Sequence, residues 1–234
     1  MEPISTGNEE LDTRLGGGIP VPNVLIIEGD HGTAKTAFAQ QIAFGATSKG
    51  RRTLIITTEF RVRELLMQSE KISLNLTPAY IKGALEIFHI HIDGIRWSRE
   101  VTFKALNTLV EYLFTDEGKS FDVVILDSLT PFMMYLSIDE ILNFISKVKL
   151  YSEIGKLVVL TLHPKVLSED VKSSLIMMSD SYIRLSIVQF GGKLIKSMEV
   201  IKFRGTPNPV ETMIAFDVDP AFGIKVVPLA LAKA

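Results

Sequence analysis

The densest chemistry in this sequence lies at positions 29–36, Gly-Asp-His-Gly-Thr-Ala-Lys-Thr, which follow the apolar run 24–27 and precede a segment with helical spacing over 36–48. A glycine-rich turn that runs from a buried strand into a helix N-terminus aims successive backbone N–H groups at one point. It can therefore surround a polyphosphate with no bulky side chain intervening. The spacing follows G-x-x-x-x-G-K-[ST], the phosphate-loop pattern. Gly29 and Gly32 supply the turn, with Asp30, His31 and Thr33 filling the loop. Lys35 reaches the β and γ phosphates, and the Thr36 hydroxyl ligates a bridging magnesium ion. An ordinary strand-turn-helix loop with a chance lysine is the plainer reading, and the strand and helix on either side argue against it. Ala34 breaks the pattern, standing where the sixth residue is glycine. Its methyl crowds the phosphates or, at a positive φ, costs about 1 kcal/mol or more. That departure leaves nucleotide binding in place and argues against fast turnover.

A magnesium phosphate site also needs a carboxylate at the C-terminal end of a neighbouring parallel strand. FDVVILDS at 121–128 supplies Asp127, placed to hold a magnesium-bound water beside Thr36. Taken alone, an aspartate ending a strand is a common turn or cap residue. Glu59, after TLIITT at 53–58, is the candidate for polarising an attacking water; the alternative is that Thr58 and Glu59 cap the helix starting near Arg61. His163 ends KLVVLTLH at 156–163, just before the strand-stopping Pro164, and is read as a γ-phosphate sensor, although a lone strand-end histidine is more often structural. His89 and His91 share a strand face by period two, but no third ligand accompanies them in the sequence, and a metal site there is rejected. Hydroxyls at Thr36, Thr57, Thr58 and Ser128 keep an autokinase reading open, their ordinary role being strand and magnesium chemistry.

These residues need a scaffold that gathers strand ends. The β-branched runs 24–29, 53–59, 122–128 and 156–163 alternate with helical spacing over 36–48, 61–72, 99–115 and 138–152. Buried strands alternating with helices predict an α/β fold, a mainly parallel sheet covered on both faces. After Ser179 the pattern turns to alternating stretches broken by Gly191-Gly192 and by 205–209, which predict antiparallel strands extending the same sheet. With 234 residues, 47% of them hydrophobic, one domain spanning 1–234 is expected. A net charge of −2 lacks the basic field that holds nucleic acid by counterion release. The chain has no cysteine, hence no disulfide frame, and its apolar runs are strand-length, so neither an oxidising compartment nor a membrane span is expected. The opening residues are acidic and polar where a signal peptide needs a basic start, and the expected location is cytoplasmic.

With those elements placed, the opening STGNEELDTRLGGGIP at 5–20 resembles the signature that leads into the phosphate loop of KaiC-like ATPases of the RecA superfamily. IKFRGTP at 201–207 resembles their K-x-R-G-T segment, by which a lysine and an arginine reach the nucleotide of a neighbouring subunit. That resemblance implies ATP and Mg2+ as cofactors, a homo-oligomeric ring such as a hexamer, and action of Lys202 and Arg204 in trans. Replacing either by alanine is then expected to leave monomer folding intact and to reduce ATP-dependent assembly. GDHGTAKT, TTEFRVRELLMQSEK and LTLHP are most similar to the accessory ATP-binding proteins of the archaellum motor. This implies docking to the motor ATPase FlaI, the membrane platform FlaJ and a scaffold such as FlaX or its counterpart, peripheral to the membrane. The family's water-activating pair is two adjacent glutamates, matched here by Glu59 and Phe60. Together with Ala34, that departure predicts a chain that holds ATP more readily than it splits it. A RecA-type recombination protein is the competing reading. Strand-tracking basic or aromatic loops would mark it, yet the segment 164–178 is charge-mixed and holds no aromatic residue.

Overall fold

The computed structural model describes residues 1–91, 96–190 and 192–228. Its strands are β1 (Asn23–Gly29), β2 (Thr53–Thr57), β3 (Leu85–His89), β4 (Val123–Asp127), β5 (Leu157–Leu162), β6 (Ser181–Phe190), β7 (Lys193–Phe203), β8 (Met213–Asp219) and β9 (Gly223–Val226). Its helices are α1 (Glu9–Arg14), α2 (Lys35–Ser48), α3 (Val62–Lys71), α4 (Thr77–Ile81), α5 (Arg99–Leu113), α6 (Asp116–Lys119), α7 (Thr130–Met133), α8 (Ile138–Ser152) and α9 (Glu169–Met178). One sheet holds the strands in the order β3-β2-β4-β5-β1-β6-β7-β8-β9. The first six in that row are parallel and the remaining pairs antiparallel.

The central strands are apolar at nearly every position because both faces are covered. Leu25 and Ile27 of β1 pack with Phe38, Ile42 and Ala43 of α2, while Val24 and Ile26 pack with residues of α5, α8 and α9 on the other face. β4 divides in the same way, Val123 and Ile125 to one side and Val124 and Leu126 to the other. Parallel strands end together, so Gly29, Thr57, Asp127 and Leu162 deliver their following loops to one edge of the sheet, where ligands of open α/β sheets bind.

The opening signature has a structural job. The Asp12 carboxylate accepts from the Ser5 hydroxyl at 2.6 Å, the Thr6 N–H at 2.8 Å and the Thr6 hydroxyl at 2.7 Å, and Asn8 caps α1. Two points differ from the sequence expectation. β6 lies parallel to β1 along one edge and antiparallel to β7 along the other, so antiparallel pairing starts one strand later than the alternating pattern suggested. The segment 164–178 contains α9, started by the Ser168 hydroxyl accepting from the Val171 N–H. Gly191 lies outside the described residues.

Candidate functional site

The loop 30–34 joins β1 to α2, and its shape follows from close contacts. A Cβ on Gly29 would stand 2.5 Å from Thr33 Oγ1 and 2.8 Å from the Leu185 carbonyl oxygen, so only glycine fits there. The Thr33 hydroxyl closes the turn by donating to the Asp30 carbonyl at 2.8 Å. Ala34 adopts φ 75° and ψ 27°, the left-handed conformation that the pattern's glycine takes without strain. Lys35 is buried. Its ammonium donates to the carbonyls of Gly29 at 2.7 Å and Asp30 at 3.0 Å and stands 3.4 Å from His163 Nδ1. Burial draws the lysine pKa down, opposed by Asp127, Glu59 and Asp30.

Asp127 ends β4 and is 2% exposed. One carboxylate oxygen accepts from the Thr161 hydroxyl at 2.5 Å, and the other is buried with no partner among the described residues. Burial pushes this carboxyl up, against the Thr161 and Thr36 hydroxyls and the Lys35 ammonium, which favour the charge. A buried acceptor left unpaired is costly unless something completes it. Here it lines a crevice of about 380 Å³ together with Lys35 and Thr36, which is the donor set a magnesium-bound polyphosphate needs. The residues present therefore fit that group.

Glu59 and His163 line the same crevice. The Thr57 hydroxyl accepts from the N–H groups of Glu59 at 3.1 Å and Phe60 at 3.3 Å, a turn that fixes the backbone carrying the carboxylate. Burial, then the Asp127 charge, raises the Glu59 pKa, which makes it a better proton acceptor. Helix α3 is capped otherwise, by Glu64 accepting from the Arg61 N–H at 3.1 Å, so Glu59 is not spent on capping. The His163 ring lies 4.2 Å from that of His31, tilted by 38°, and burial followed by Lys35 lowers its pKa to about 4. A neutral ring accepts at Nδ1 from the lysine and keeps its proton on Nε2.

The sequence profile of the family described as "ATPase: KaiC" matches residues 4–230. A relative from Sulfolobus acidocaldarius named archaeal flagellar ATP-binding protein FlaH is 36% identical over 231 residues, 99% of each chain. The chain belongs to the KaiC-like ATPases of the RecA superfamily, in the FlaH group. The crystal structure of flagellar accessory protein FlaH from Methanocaldococcus jannaschii superposes with a TM-score of 0.85 at 25% identity, covering 97% of this chain and 99% of that one. A KaiC-like protein from Pyrococcus horikoshii shares the fold with a TM-score of 0.75 at 20% identity over 97% of this chain and 99% of its own.

In this KaiC-like chain the loop residues Gly29, Asp30, His31, Gly32, Thr33, Ala34, Lys35 and Thr36 come together with Glu59, Asp127 and His163. Lys202 and Arg204 do not join them. Phe203 pairs with Ser181, which itself lies beside Leu25, so both basic residues sit near the end of the sheet where β1 begins, away from Gly29. The Lys202 ammonium donates to the carbonyls of Ile176 at 2.8 Å, Met177 at 2.9 Å and Ser179, and thus caps the C-terminal end of α9 in its own chain. Arg204 is exposed. Of the four hydroxyls that kept autokinase chemistry open, Thr57, Thr58 and Ser128 are buried and engaged in hydrogen bonds, which leaves Thr36 in the crevice. The His89 and His91 rings meet edge to face at 4.2 Å.

Sequence reasoning missed Thr161, the one polar residue in LVVLTL and the partner of Asp127. That lone hydroxyl was the available signal. It also missed the His31–His163 ring contact, the Lys165–Asp30 ion pair at 3.4 Å and the wall residues Gln68, Lys196 and Val218, which only the tertiary fold brings to the crevice.

Proposed function

We infer that this crevice binds magnesium ATP and that the chain acts as the ATP-binding accessory component of the archaellum motor, a weak ATPase at most. One observation carries the binding site: the buried Lys35 ammonium and the unpartnered Asp127 oxygen share one cavity with Thr36. The name carried by the 36% identical relative supports the motor context. When bound, magnesium ATP supplies a polarised γ phosphoryl group. With it bound, Lys35 would neutralise phosphate charge, Thr36 and Asp127 would hold the metal, Glu59 would accept a proton from water, and neutral His163 would respond to what occupies the crevice. Phe60 removes the second acid of the family's pair and Ala34 strains the loop, both favouring retention over turnover. On this reading a single domain over 1–234 forms a ring of the hexameric kind, with the exposed Arg204 facing a neighbour while Lys202 stays with α9 of its own chain. It docks on FlaI, FlaJ and FlaX or its counterpart from the cytoplasmic side. Among the described residues no helix is long and apolar enough to cross a membrane.

The test is to incubate the purified protein with one equivalent of magnesium ATP and quantify bound ATP and ADP over time. Persistent bound ATP is the expected result, with occupancy as the signal. Turnover near ~10 per second, the median for enzymes, would refute retention. Failure to bind ATP at all would refute the site.

A further inference from the structure

Helices cover both faces of the central strands but only one face of β3, the strand at the edge of the sheet. Among the described residues β3 pairs with β2 alone. Leu85 and Ile87 turn to one face and are buried in the cluster that holds Leu65 of α3. Phe88 turns to the other face and is 49% exposed. The cover on that side is α5, and it falls short of the edge. It buries Leu106, Val110 and Leu113 in the same cluster as Ile56 of β2 and Val124 of β4. A second stripe of α5, Ala105, Leu109 and Tyr112, at helical spacing on one face, is only partly buried. With Phe88 and Ile90 it bounds a groove of about 410 Å³ whose walls expose no polar atom. The rings of Phe88 and Tyr112 meet edge to face at 6.2 Å, which holds the groove in shape. Apolar surface of this kind beside an open sheet edge marks an interaction site.

The opposite edge of the same sheet supplies an occupant. β9 is last in the row, and Val227 just beyond it is still tied to the sheet by donating to the Ala215 carbonyl at 2.8 Å. Pro228 has no N–H to continue that pairing. The sequence then runs Leu-Ala-Leu-Ala-Lys-Ala over 229–234, with two leucines two residues apart and no charge before Lys233. Those leucines cannot serve the groove of their own chain. β9 and β3 stand at opposite ends of nine strands, about 38 Å apart at the usual strand spacing. The segment 228–234, fully extended, reaches at most about 25 Å. We propose that residues 228–234 of one copy lie in the β3–α5 groove of a second copy, with Leu229 and Leu231 packed against Phe88, Ala105 and Leu109. In an extended segment, residues two apart share a face, so both leucines enter the groove together. An occupant at one edge and a groove at the other make this contact head to tail, the kind that repeats about an axis and closes as a ring. The proposal deepens the ring reading above and rests on it; the nucleotide crevice takes no part.

Sedimentation velocity over a concentration series, with magnesium ATP present, reads the contact. Wild type should self-associate. A chain ending at Val227, the double variant Leu229→Asp/Leu231→Asp, and Thr108→Glu in the groove wall should each need about 10-fold more protein, or beyond, for the same degree of association. Thr108 is exposed on α5, so its replacement does not threaten folding, and ATP binding should be unchanged in all three variants. Mixing identifies the occupant. The shortened chain keeps its groove and the Thr108→Glu chain keeps its terminal segment, so an equimolar mixture should form a dimer through one intact contact at a concentration where neither associates alone. A fluorescein-labelled peptide of residues 227–234 should bind the shortened chain, and bind it about 10-fold more weakly once Thr108→Glu is added. A shortened chain that associates like wild type, or a mixture that stays monomeric, would overturn the proposal while the ring reading stands. Association lost in Thr108→Glu but kept in the shortened chain would give the groove to another surface of the second copy and overturn the terminal segment as its occupant. Wild type that stays monomeric at every concentration would overturn the ring reading as well.

Discussion

Lys202→Ala tests whether this residue belongs to its own subunit. The sequence reading expects the substitution to leave monomer folding intact; the structure predicts otherwise. A lysine ammonium has three protons, and here they go to the carbonyls of Ile176, Met177 and Ser179 at the end of α9. Charge-assisted bonds to helix-end carbonyls also offset the negative pole of the helix dipole. Lys202 is half-buried and water can replace part of what it gives, so the three bonds together contribute about 1–2 kcal/mol rather than their dry sum. With 234 residues the entropy of unfolding is about 0.5 kcal/mol per kelvin, and the loss lowers Tm by about 2–4 °C. Scanning calorimetry of the nucleotide-free protein reads this directly, with Arg204→Ala as the control, expected within about 1 °C of wild type because exposed positions move stability little. Hydrogen exchange adds a local readout, since backbone amides near 176–180 should exchange faster in the Lys202 variant alone. If Lys202→Ala melts with wild type, or Arg204→Ala falls as far, the assignment of Lys202 as the α9 cap is wrong.

Asp127→Asn removes a carboxylate that burial penalises and leaves an acceptor for Thr161 in place. The metal-free variant should unfold no earlier than wild type while magnesium loses about 10-fold of its effect on ATP affinity; a Tm more than about 2 °C lower would refute this. His163 titrates in the fold near 4, below its ordinary 6.5, held there by burial, Lys35, His31 and Lys165 against Asp30. The unfolded chain therefore binds the extra proton first, and the stability due to the neutral ring is complete above 6.5 and lost as pH falls from 6.5 toward 4. Melts of wild type and His163→Asn across that range should converge at the acid end; parallel curves would contradict the assignment. Ala34→Gly frees the loop from a left-handed alanine but adds backbone freedom to the unfolded chain, so Tm should move by less than about 2 °C. Bound ATP should nevertheless be converted to ADP faster in that variant, and unchanged conversion would relieve Ala34 of any part in retention.

What could be read from the sequence was whatever depends on neighbours along the chain. The phosphate loop is local: eight consecutive residues, a strand before them and a helix after them, carry the whole geometry, including the strained φ at Ala34. Central strands are equally legible because burial on both faces demands unbroken β-branched runs such as VVILD and LVVLTL. The β6 pairing was not legible, since alternation marks a strand with one wetter face and says nothing about which neighbour runs parallel to it. Helix α9 hid because its apolar residues crowd into its last turn, LIMM, with only Val171 and Leu175 buried, and it is held by a serine at one end and two lysines, Lys149 and Lys202, at the other. Lys202 shows why spacing cannot assign a long side chain. The segment IKFRGTP is compatible with a lysine reaching outward to a neighbour or backward to a helix end 26 residues earlier in its own chain. Both ends are anionic in character, one by phosphate and one by carbonyls, and an ammonium meets either with the same three protons. Which one it meets depends on how close α9 ends to β7, a distance set by helix length and sheet order, and no run of residues around position 202 encodes it.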